Sequence, residues 1–538
     1  MSNAKNLSRR ATLRRAGGLA AAAAAPSLIA VTPAAARQAT PVASETGAPL
    51  PAAIIDIIEQ PKYGFSRWGI HVEDQVSGEA IHDQRGTERF LAASTTKLFT
   101  TAAALHAYGP DFRFETPIYR QGEVDAEGTL AGDLILVASG DPTLGGRTTP
   151  EGGIAYVSID HIYANAFPIA TLTLEDPLAG IDDLAGQVKA SGIDRVDGEI
   201  VIDDRLFPAF AKDDYILSPV WINDNLIDLT IVPGATGEAA TLDWRPQSVA
   251  YAVSSTVTTV AAGQPLTVTV STPADGVIEV AGEIPADQAP LLRVVQVEDP
   301  AAFARTVLIE ALNRAGVEVG ASPTGPNPIA LLPAPGSYAA ADRVATLESL
   351  PFAENIKLIN KVSHNQHADL LVLLLALSVG ETTFDVGMDQ IRIFLEGIGL
   401  DPTLVSLSDG RGNEYTDLFS PRTVSELLRL MTGRDDFAAY FESLPILGVD
   451  GSEATTVPAS SAVAGQARAK SGTTVAGDLM NNRPLVMTRA LAGYMTARSG
   501  RELIFAIYVN DVPIAAVSDL FTLITEQGTI AEIIFEQN

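Results

Sequence analysis

A long β-type region separates two parts of the chain that both have helical patterns. In residues 114–343 the apolar residues form short runs broken by Gly, Pro and Asp, as in residues 199–203. Before and after this region, apolar residues recur at helical spacing, as in residues 94–107 and 365–378. The pattern therefore indicates helical segments at both ends of the chain and a large β-rich region between them.

A small β module is predicted inside this region. Residues 256–260, 266–270 and 277–280 alternate apolar and polar side chains and contain almost no helix formers. We place the module at about residues 241–297. A helix is predicted to follow, with Asp299 as its N-cap and Pro300 at its first position, and a later helix, residues 515–535, is expected to break at Gly528.

The N-terminus predicts export from the cytoplasm. Paired arginines in residues 8–15 precede a weakly apolar, alanine-rich run, residues 16–31, and then Ala34-Ala35-Ala36. This order is typical of a twin-arginine signal, which we assign to residues 1–36, followed by a flexible leader, residues 37–52. An alanine helix or an uncleaved anchor is the alternative, but Pro26 interrupts the short span. We expect the mature protein in the periplasm or in the extracellular or cell-wall space.

Charge and composition exclude several classes of protein. The chain has 36 Lys and Arg against 65 Asp and Glu, a net charge of −29, and no basic stripe follows the first 40 residues. We therefore expect no nucleic-acid partner. The chain contains no cysteine, which excludes disulfides, thiolate metal sites and cysteine nucleophiles. The longest later apolar stretch, residues 370–377, is too short for a bilayer, so no stable membrane span is expected after signal cleavage.

Three short motifs carry candidate chemistry. The first is Ser94-Thr95-Thr96-Lys97 at a helix start, where the lysine amine can reach the serine hydroxyl because residues three apart share one helical face. Taken alone, it also fits an exposed helix lysine that follows a capping serine. The second is Ser363-His364-Asn365, ahead of a buried helix, and the third is Lys470-Ser471-Gly472-Thr473, in a segment with strand-like alternation. In this order they match the S-x-x-K, S-x-N and K-[ST]-G set of β-lactamases and penicillin-binding proteins.

The spacing of the motifs narrows the resemblance. The first two are 363 − 94 = 269 residues apart, which is far more than in compact β-lactamases. With this insertion, and with the segments Ser139-Gly140-Asp141-Pro142-Thr143-Leu144, Asn360-Lys361-Val362-Ser363 and Asp409-Gly410, the chain resembles the D-alanyl-D-alanine carboxypeptidases of the penicillin-binding protein 4 type. Ser471 stands where that family usually has threonine, Arg411 and Asn413 stand where it more often has small or apolar residues, and residues 480–487 look longer and more polar than usual.

The resemblance implies a fold and a division into domains. The fold class is α/β (α+β), a β-lactamase/transpeptidase-like domain with an antiparallel sheet flanked by helices, plus a large β-rich insertion. The catalytic domain would comprise residues 53–113 and 345–538. The inserted domain would comprise residues 114–344, with the module at 241–297 nested in it.

The resemblance also implies a mechanism. Ser94 would be the acylated nucleophile and Lys97 its base, with a pKa lowered by burial and by Lys470. Ser363 would relay a proton to the leaving group and Asn365 would orient Lys97, while Lys470, Ser471, Gly472 and Thr473 would bind the substrate. The implied substrates are peptidoglycan stem peptides and, in an endopeptidase reaction, their cross-links. β-Lactams would be covalent inhibitors, and no metal or other cofactor is implied.

Other interpretations of the same residues stay open at this stage. The protein could be a β-lactamase-like hydrolase, or a catalytically silent protein that binds the cell wall. His364 and His367 could form a metal pair, although the sequence offers no third ligand. Asp141 could line the mouth of the cleft or cap a turn.

Overall fold

Helices dominate the described chain after residue 345, and short strands dominate the region before it. A computed structural model describes residues 47–213 and 215–538, so the predicted export signal and most of the predicted leader lie outside the described residues. The α-helices of this part of the chain are α1 (Ala52–Ile58), α2 (Lys97–Tyr108), α3 (Ala179–Ala190), α4 (Pro300–Arg314), α5 (Phe352–Val362), α6 (Asn365–Leu377), α7 (Phe384–Ile398), α8 (Pro421–Thr432), α9 (Phe437–Ser443) and α10 (Ser518–Gln537).

The strands follow the same division. Those before residue 345 are mostly short, and the three longest of the described strands lie within the last hundred residues. In chain order they are β1 (Arg67–Asp74), β2 (Ala80–Gln84), β3 (Phe90–Leu91), β4 (Glu115–Val124), β5 (Thr129–Val137), β6 (Arg195–Val196), β7 (Ile200–Asp203), β8 (Phe210–Lys212), β9 (Tyr215–Leu217), β10 (Leu226–Val232), β11 (Thr241–Arg245), β12 (Ala252–Ser255), β13 (Thr258–Val260), β14 (Thr269–Ala274), β15 (Val277–Ala281), β16 (Glu283–Pro285), β17 (Leu291–Gln296), β18 (Glu318–Val319), β19 (Arg343–Glu348), β20 (Leu418–Phe419), β21 (Ala467–Asp478), β22 (Arg483–Thr496) and β23 (Glu502–Pro513).

One antiparallel sheet joins the two ends of the chain. Its strand order is β2-β1-β23-β22-β21, and β1 pairs with β23 from Arg67↔Asn510 to Asp74↔Leu503. Side chains of β22 and β23 alternate between two buried faces, because successive residues of a strand point to opposite sides. Tyr494 and Tyr508 lie in the core on one face, whereas Leu491 and Phe505 lie in the core on the other.

Helices cover both faces of this sheet. On one face, α2, α5, α6, α7 and α8 enclose the larger core, which includes Phe99, Ile356 and Leu371. On the other face, α1 and α10 contribute Ile54, Leu523 and Ile534 to the second core. An antiparallel sheet flanked by helices is the arrangement that the sequence predicts.

The region between α2 and α5 is built from several small sheets. Strands β18, β6, β5, β4 and β19 form the largest, with β7 added on β5, and β11-β10-β17 and β12-β15-β14 form three-stranded sheets. These sheets share a core with α3 and α4. All the described residues belong to one compact unit, and the division into a catalytic domain, an inserted domain and a nested module stays a prediction.

Two local predictions have different outcomes. The Asp299 side chain accepts a hydrogen bond from the Ala302 backbone N–H and Pro300 is the first residue of α4, as predicted. The predicted break at Gly528 is wrong, because α10 continues through it. A Cβ at Gly528 would lie 2.3 Å from the Thr456 carbonyl oxygen, so the glycine permits close packing rather than a break.

The structure describes helices within residues 47–213 and 215–538. None of these helices has both the length and the apolar character that crossing a bilayer requires.

A close contact between α6 and α7 gives a prediction about stability. A Cβ at the buried Gly387 of α7 would lie 1.8 Å from the Val372 carbonyl oxygen of α6, so we expect Gly387→Ala to destabilise the fold by about 2 kcal/mol or more. Gly397 of the same helix has nothing within 4 Å of its Cβ position, so Gly397→Ala should be neutral or stabilising by up to about 1 kcal/mol. Thermal unfolding followed by circular dichroism measures both, and equal Tm values for the two variants would contradict the prediction.

Candidate active site

Lys97 connects the first two motifs. Ser94 lies in a short 3₁₀ helix, Ala93–Thr96, which runs directly into α2 at Lys97. The Lys97 Nζ lies 2.9 Å from Ser94 Oγ, 2.7 Å from Asn365 Oδ1 and 2.8 Å from the Arg411 carbonyl oxygen. The Asn365 Oδ1 and the Arg411 carbonyl oxygen can only accept hydrogen bonds. A neutral amine at this position would donate its two N–H groups to Asn365 and Arg411, which would leave its lone pair for the Ser94 hydroxyl.

The surroundings of Lys97 favour this neutral form. The residue is 0% exposed, and burial disfavours the charged amine. Burial first, and the nearby Lys470 cation second, lower the pKa of Lys97 well below its usual value, against the opposing effect of the Asp409 and Asp369 carboxylates. A lysine in this state can remove a proton from a serine hydroxyl at neutral pH.

The second motif lies at the junction of two helices. Ser363 ends α5 in the left-handed conformation, with φ 64° and ψ 41°, and His364 caps the N-terminus of α6. The His364 Nδ1 accepts the His367 backbone N–H at 3.2 Å, which satisfies one of the free donors of the first turn. Asn365 is therefore the first residue of α6, and its side chain reaches Lys97.

The third motif lies on β21, at the edge of the central sheet. Lys470 is 0% exposed, whereas Thr473 is exposed. A Cβ at Gly472 would lie 2.7 Å from the Ala92 carbonyl oxygen and 2.9 Å from the Ser94 backbone nitrogen. Only glycine lets the strand lie this close to the Ser94 segment.

Lys470 is also affected by its surroundings. Burial lowers its pKa to about 7, with the Glu453 carboxylate opposing the shift and the Arg489 cation adding to it. Arg489 is buried and ion-pairs with Glu453, and its Nη1 donates to the Thr473 Oγ1 at 3.0 Å. The structure thus brings together the three sequence motifs around Ser94.

One loop next to Lys97 was not assigned a role from the sequence. The buried Asp409 carboxylate accepts backbone N–H groups from Arg411, Gly412 and Asn413, which shapes the loop so that the Arg411 carbonyl faces Lys97. The Arg411 side chain ion-pairs with Asp213. The Asp409-Gly410 pair was a visible signal, but its contact with Lys97 joins residues 314 positions apart.

Asp141 caps a turn. Its Oδ1 accepts the Thr143 backbone N–H at 3.0 Å and lies 3.2 Å from the Thr143 hydroxyl, which donates to it. Of the two interpretations of Asp141, the structure supports the turn.

A cluster behind the second motif has the composition of a metal site. Asp224 supplies the third group beside His364 and His367 that the sequence did not offer. However, the two imidazole rings stack, with centroids 3.6 Å apart and planes 18° apart, so their in-plane lone pairs do not converge on one ion. The Arg147 Nη2 donates to Asp224 Oδ2 at 2.6 Å, so a cation already neutralises this carboxylate. The geometry fits an ion-paired network better than a metal centre.

Comparisons with known proteins show which proteins this chain resembles. The D-alanyl-D-alanine carboxypeptidase of an Actinomadura species is 28% identical over 483 residues, which cover 84% of this chain and 79% of the relative. The D-alanyl-D-alanine carboxypeptidase DacB of Haemophilus influenzae is 24% identical over 463 residues, 80% of this chain and 83% of the relative. The crystal structure of penicillin binding protein 4 (dacB) from H. influenzae superposes with a TM-score of 0.66 at 20% identity, and the match covers 90% of this chain and 99% of that one.

These findings confirm the predicted resemblance, fold class and enzyme class, a serine-type D-Ala-D-Ala carboxypeptidase. The strongest of them is the match of a family model to residues 50–522, nearly all of the described chain. The chain belongs to the D-Ala-D-Ala carboxypeptidase 3 (S13) family.

Proposed function

We propose that this chain hydrolyses the terminal D-Ala-D-Ala bond of peptidoglycan stem peptides through an ester on Ser94. The observation that carries the proposal is the position of the buried Lys97 Nζ, 2.9 Å from the Ser94 Oγ and beside two fixed acceptors that can take its N–H groups. Membership of the family supplies the reaction and the substrate class. Ser94 is then the nucleophile, Lys97 is the base, and the Asn365 side-chain amide orients Lys97.

The first half of the reaction transfers the peptide to the enzyme. Lys97 takes the proton of Ser94 as Oγ attacks the carbonyl carbon of the penultimate D-alanine. The C–N bond of the tetrahedral intermediate then breaks, and the proton passes through the Ser363 hydroxyl to the leaving nitrogen. Free D-alanine departs and an acyl-serine ester remains.

The second half restores the enzyme. A water molecule gives a proton to Lys97 and attacks the ester carbonyl, and Lys97 then returns this proton to the Ser94 oxygen as the C–O bond of the ester breaks. The product is a stem peptide one D-alanine shorter. Backbone N–H groups of Ser94 and Thr473 form the oxyanion hole in both halves, which the close approach of Gly472 to the Ser94 segment supports.

Lys470, Ser471 and Thr473 bind the substrate carboxylate in this proposal. Lys470 provides the positive charge and the two hydroxyls provide donors, while Gly472 leaves room for an extended peptide beside the strand. A β-lactam carries a carboxylate and an amide of similar geometry, so it would acylate Ser94 in the same way.

Two further activities and a location belong to this proposal. In a cross-linked peptide the leaving amine belongs to a second stem, so the same residues would act as an endopeptidase. Ser94, Ser363 and Asn365 are all partly exposed, which leaves the attack site open to a larger substrate. The twin-arginine-like residues 1–36 support export to the periplasm or cell-wall space, where peptidoglycan lies.

Covalent labelling tests the nucleophile. We expect the mature wild-type protein to gain the mass of one benzylpenicillin, stable over hours, and Ser94→Ala to gain none. The control is Ser77→Ala, which removes an exposed serine between β1 and β2 and should be labelled like the wild type. Labelling of Ser94→Ala at full stoichiometry contradicts the assignment. A transient wild-type adduct with rapid loss of the drug would indicate a β-lactamase. If no β-lactam forms an adduct, the result would indicate a catalytically silent protein that binds the cell wall.

The pH dependence of acylation tests the two lysines. Lys97 must be neutral and Lys470 positive, and Lys470 loses its proton as the pH rises through its pKa of about 7 in the free enzyme. The efficiency of acylation is k2/K, the acylation rate constant k2 divided by the dissociation constant K of the first complex. We therefore expect k2/K for benzylpenicillin to fall above about pH 7, and also to fall at acid pH as Lys97 becomes protonated. Stopped-flow acylation between pH 5 and 10 measures both limbs.

A charge variant near Lys470 sharpens this test. Glu453→Gln removes the carboxylate that raises the pKa of Lys470, so the basic limb should move to lower pH. Glu526→Gln, which removes a carboxylate paired with Lys62 at the surface, should leave the limb in place. A wild-type k2/K that does not fall between pH 7 and pH 10 would contradict the lowered pKa of Lys470.

A further inference from the structure

One segment of the β-rich region packs against the second motif. We call residues 147–175, which form most of the connection between β5 and α3, the strap. It contains a short 3₁₀ helix, His161–Tyr163, capped by Asp160. None of its residues belongs to the three motifs around Ser94.

The strap binds Ser363 directly. The Tyr163 hydroxyl donates to the Ser363 backbone carbonyl oxygen at 2.5 Å. Ser363 is in the left-handed region, with φ 64°, which residues other than glycine, asparagine and aspartate seldom adopt. A contact that fixes the carbonyl therefore helps to hold Ser363 in a conformation that it would not otherwise prefer.

Asp224 lies beside the rings of both His364 and His367. Because His364 Nδ1 accepts the His367 N–H, the proton of the neutral ring is on Nε2, which lies 3.2 Å from Asp224 Oδ1. Burial lowers the pKa of His364 to about 3, so the ring is neutral at neutral pH. The His367 Nε2 donates to the same Asp224 oxygen at 2.6 Å.

The strap holds Asp224 in place. Its other oxygen, Oδ2, accepts from Arg147 Nη2 at 2.6 Å and from His161 Nε2 at 2.7 Å, and both donors belong to the strap. Asp160 binds the Arg147 guanidinium through two hydrogen bonds, at 2.8 and 2.9 Å. Asp224 is 3% exposed, and its own φ of 55° is also left-handed.

The charges of this cluster balance, which allows it to be buried. Against the effect of burial, the carboxylates of Asp228 and Asp160 raise the pKa of His161 to about 10, so its ring is positive at neutral pH. The positive groups are then Arg147, His161 and Arg245, and the negative groups are Asp160, Asp224 and Asp228. A buried network with paired charges of this kind fixes geometry rather than adding much stability.

We infer that Tyr163 and Asp224 are positioning residues for acylation, which hold Ser363, His364 and Asn365 in the geometry that proton transfer requires. The inference rests on the proposed function. Neither residue touches Ser94 or Lys97. Without the Tyr163 hydroxyl, Ser363 relaxes toward a commoner backbone conformation, which turns its side-chain hydroxyl away from the leaving nitrogen.

Removal of one hydroxyl tests the inference with little effect on folding. For benzylpenicillin, we expect Tyr163→Phe to lower the acylation constant k2 by about tenfold or more while the dissociation constant K changes less than about twofold. The expected Tm stays within about 2 °C of the wild type. The matched control is Tyr156→Phe, which removes a strap hydroxyl that donates to Asp450 instead, and it should acylate at the wild-type rate.

A second pair of variants tests the other contact. Asp224→Asn keeps an acceptor for His367 but loses the charge that binds Arg147 and His161, so k2 should fall again with K retained. Asp183→Asn, at an exposed aspartate of α3, is the control. If Asp224→Asn does not fold, Tyr163→Phe alone decides the question.

The outcomes separate this inference from the proposed function. Wild-type k2 in Tyr163→Phe overturns the inference, and so do equal losses of k2 and of Tm in Tyr163→Phe and Tyr156→Phe, since they would give the strap a purely structural role. Failure of the wild type to form any adduct overturns the proposed function and the inference with it.

Discussion

The buried amine of Lys97 is the constraint on which the catalytic centre depends. An ammonium group with no exposure would lose its hydration, so the low-energy state is a neutral amine whose hydrogen bonds are all satisfied inside the protein. Its acceptors come from α6 and from the loop after residue 408, and its third neighbour is the Ser94 hydroxyl. The same burial that makes Lys97 a base therefore requires the helix and the loop to stay in position.

The central sheet brings these groups into reach of one another. Pairing of β1 with β23 joins the two ends of the chain, and β21 at the edge lies against the Ser94 segment because Gly472 has no side chain. Helices on both faces bury the sheet in two separate cores, which fixes its register. The β-rich region is attached to this centre through the strap, whose balanced ionic network contacts the second motif from behind.

Much of the fold was predictable where the signal is local. Alternation of side chains predicted the strands, and helical spacing together with the Asp299 and Pro300 cap predicted the helices. The helix break predicted at Gly528 was wrong, because a glycine in a helical pattern gives the same signal whether it breaks the helix or lets a neighbouring backbone pack closely. The partner of His364 and His367 was invisible for a different reason, since Asp224 is 143 residues from His367 and no spacing rule connects them.

The sequence by itself determined the chemistry. Each motif is visible in a few residues, because its members are close in sequence. Ser94 and Lys97 lie within one helical turn, and Ser363 and Asn365 lie at the start of one helix. Residues 470–473 follow one another along one strand. Only the tertiary structure decided the protonation states and the supporting contacts. The pKa of Lys97 depends on burial and on Lys470, and the contact of Tyr163 with Ser363 joins residues 200 positions apart. Electrostatic surroundings and long-range hydrogen bonds exist only after the chain has folded.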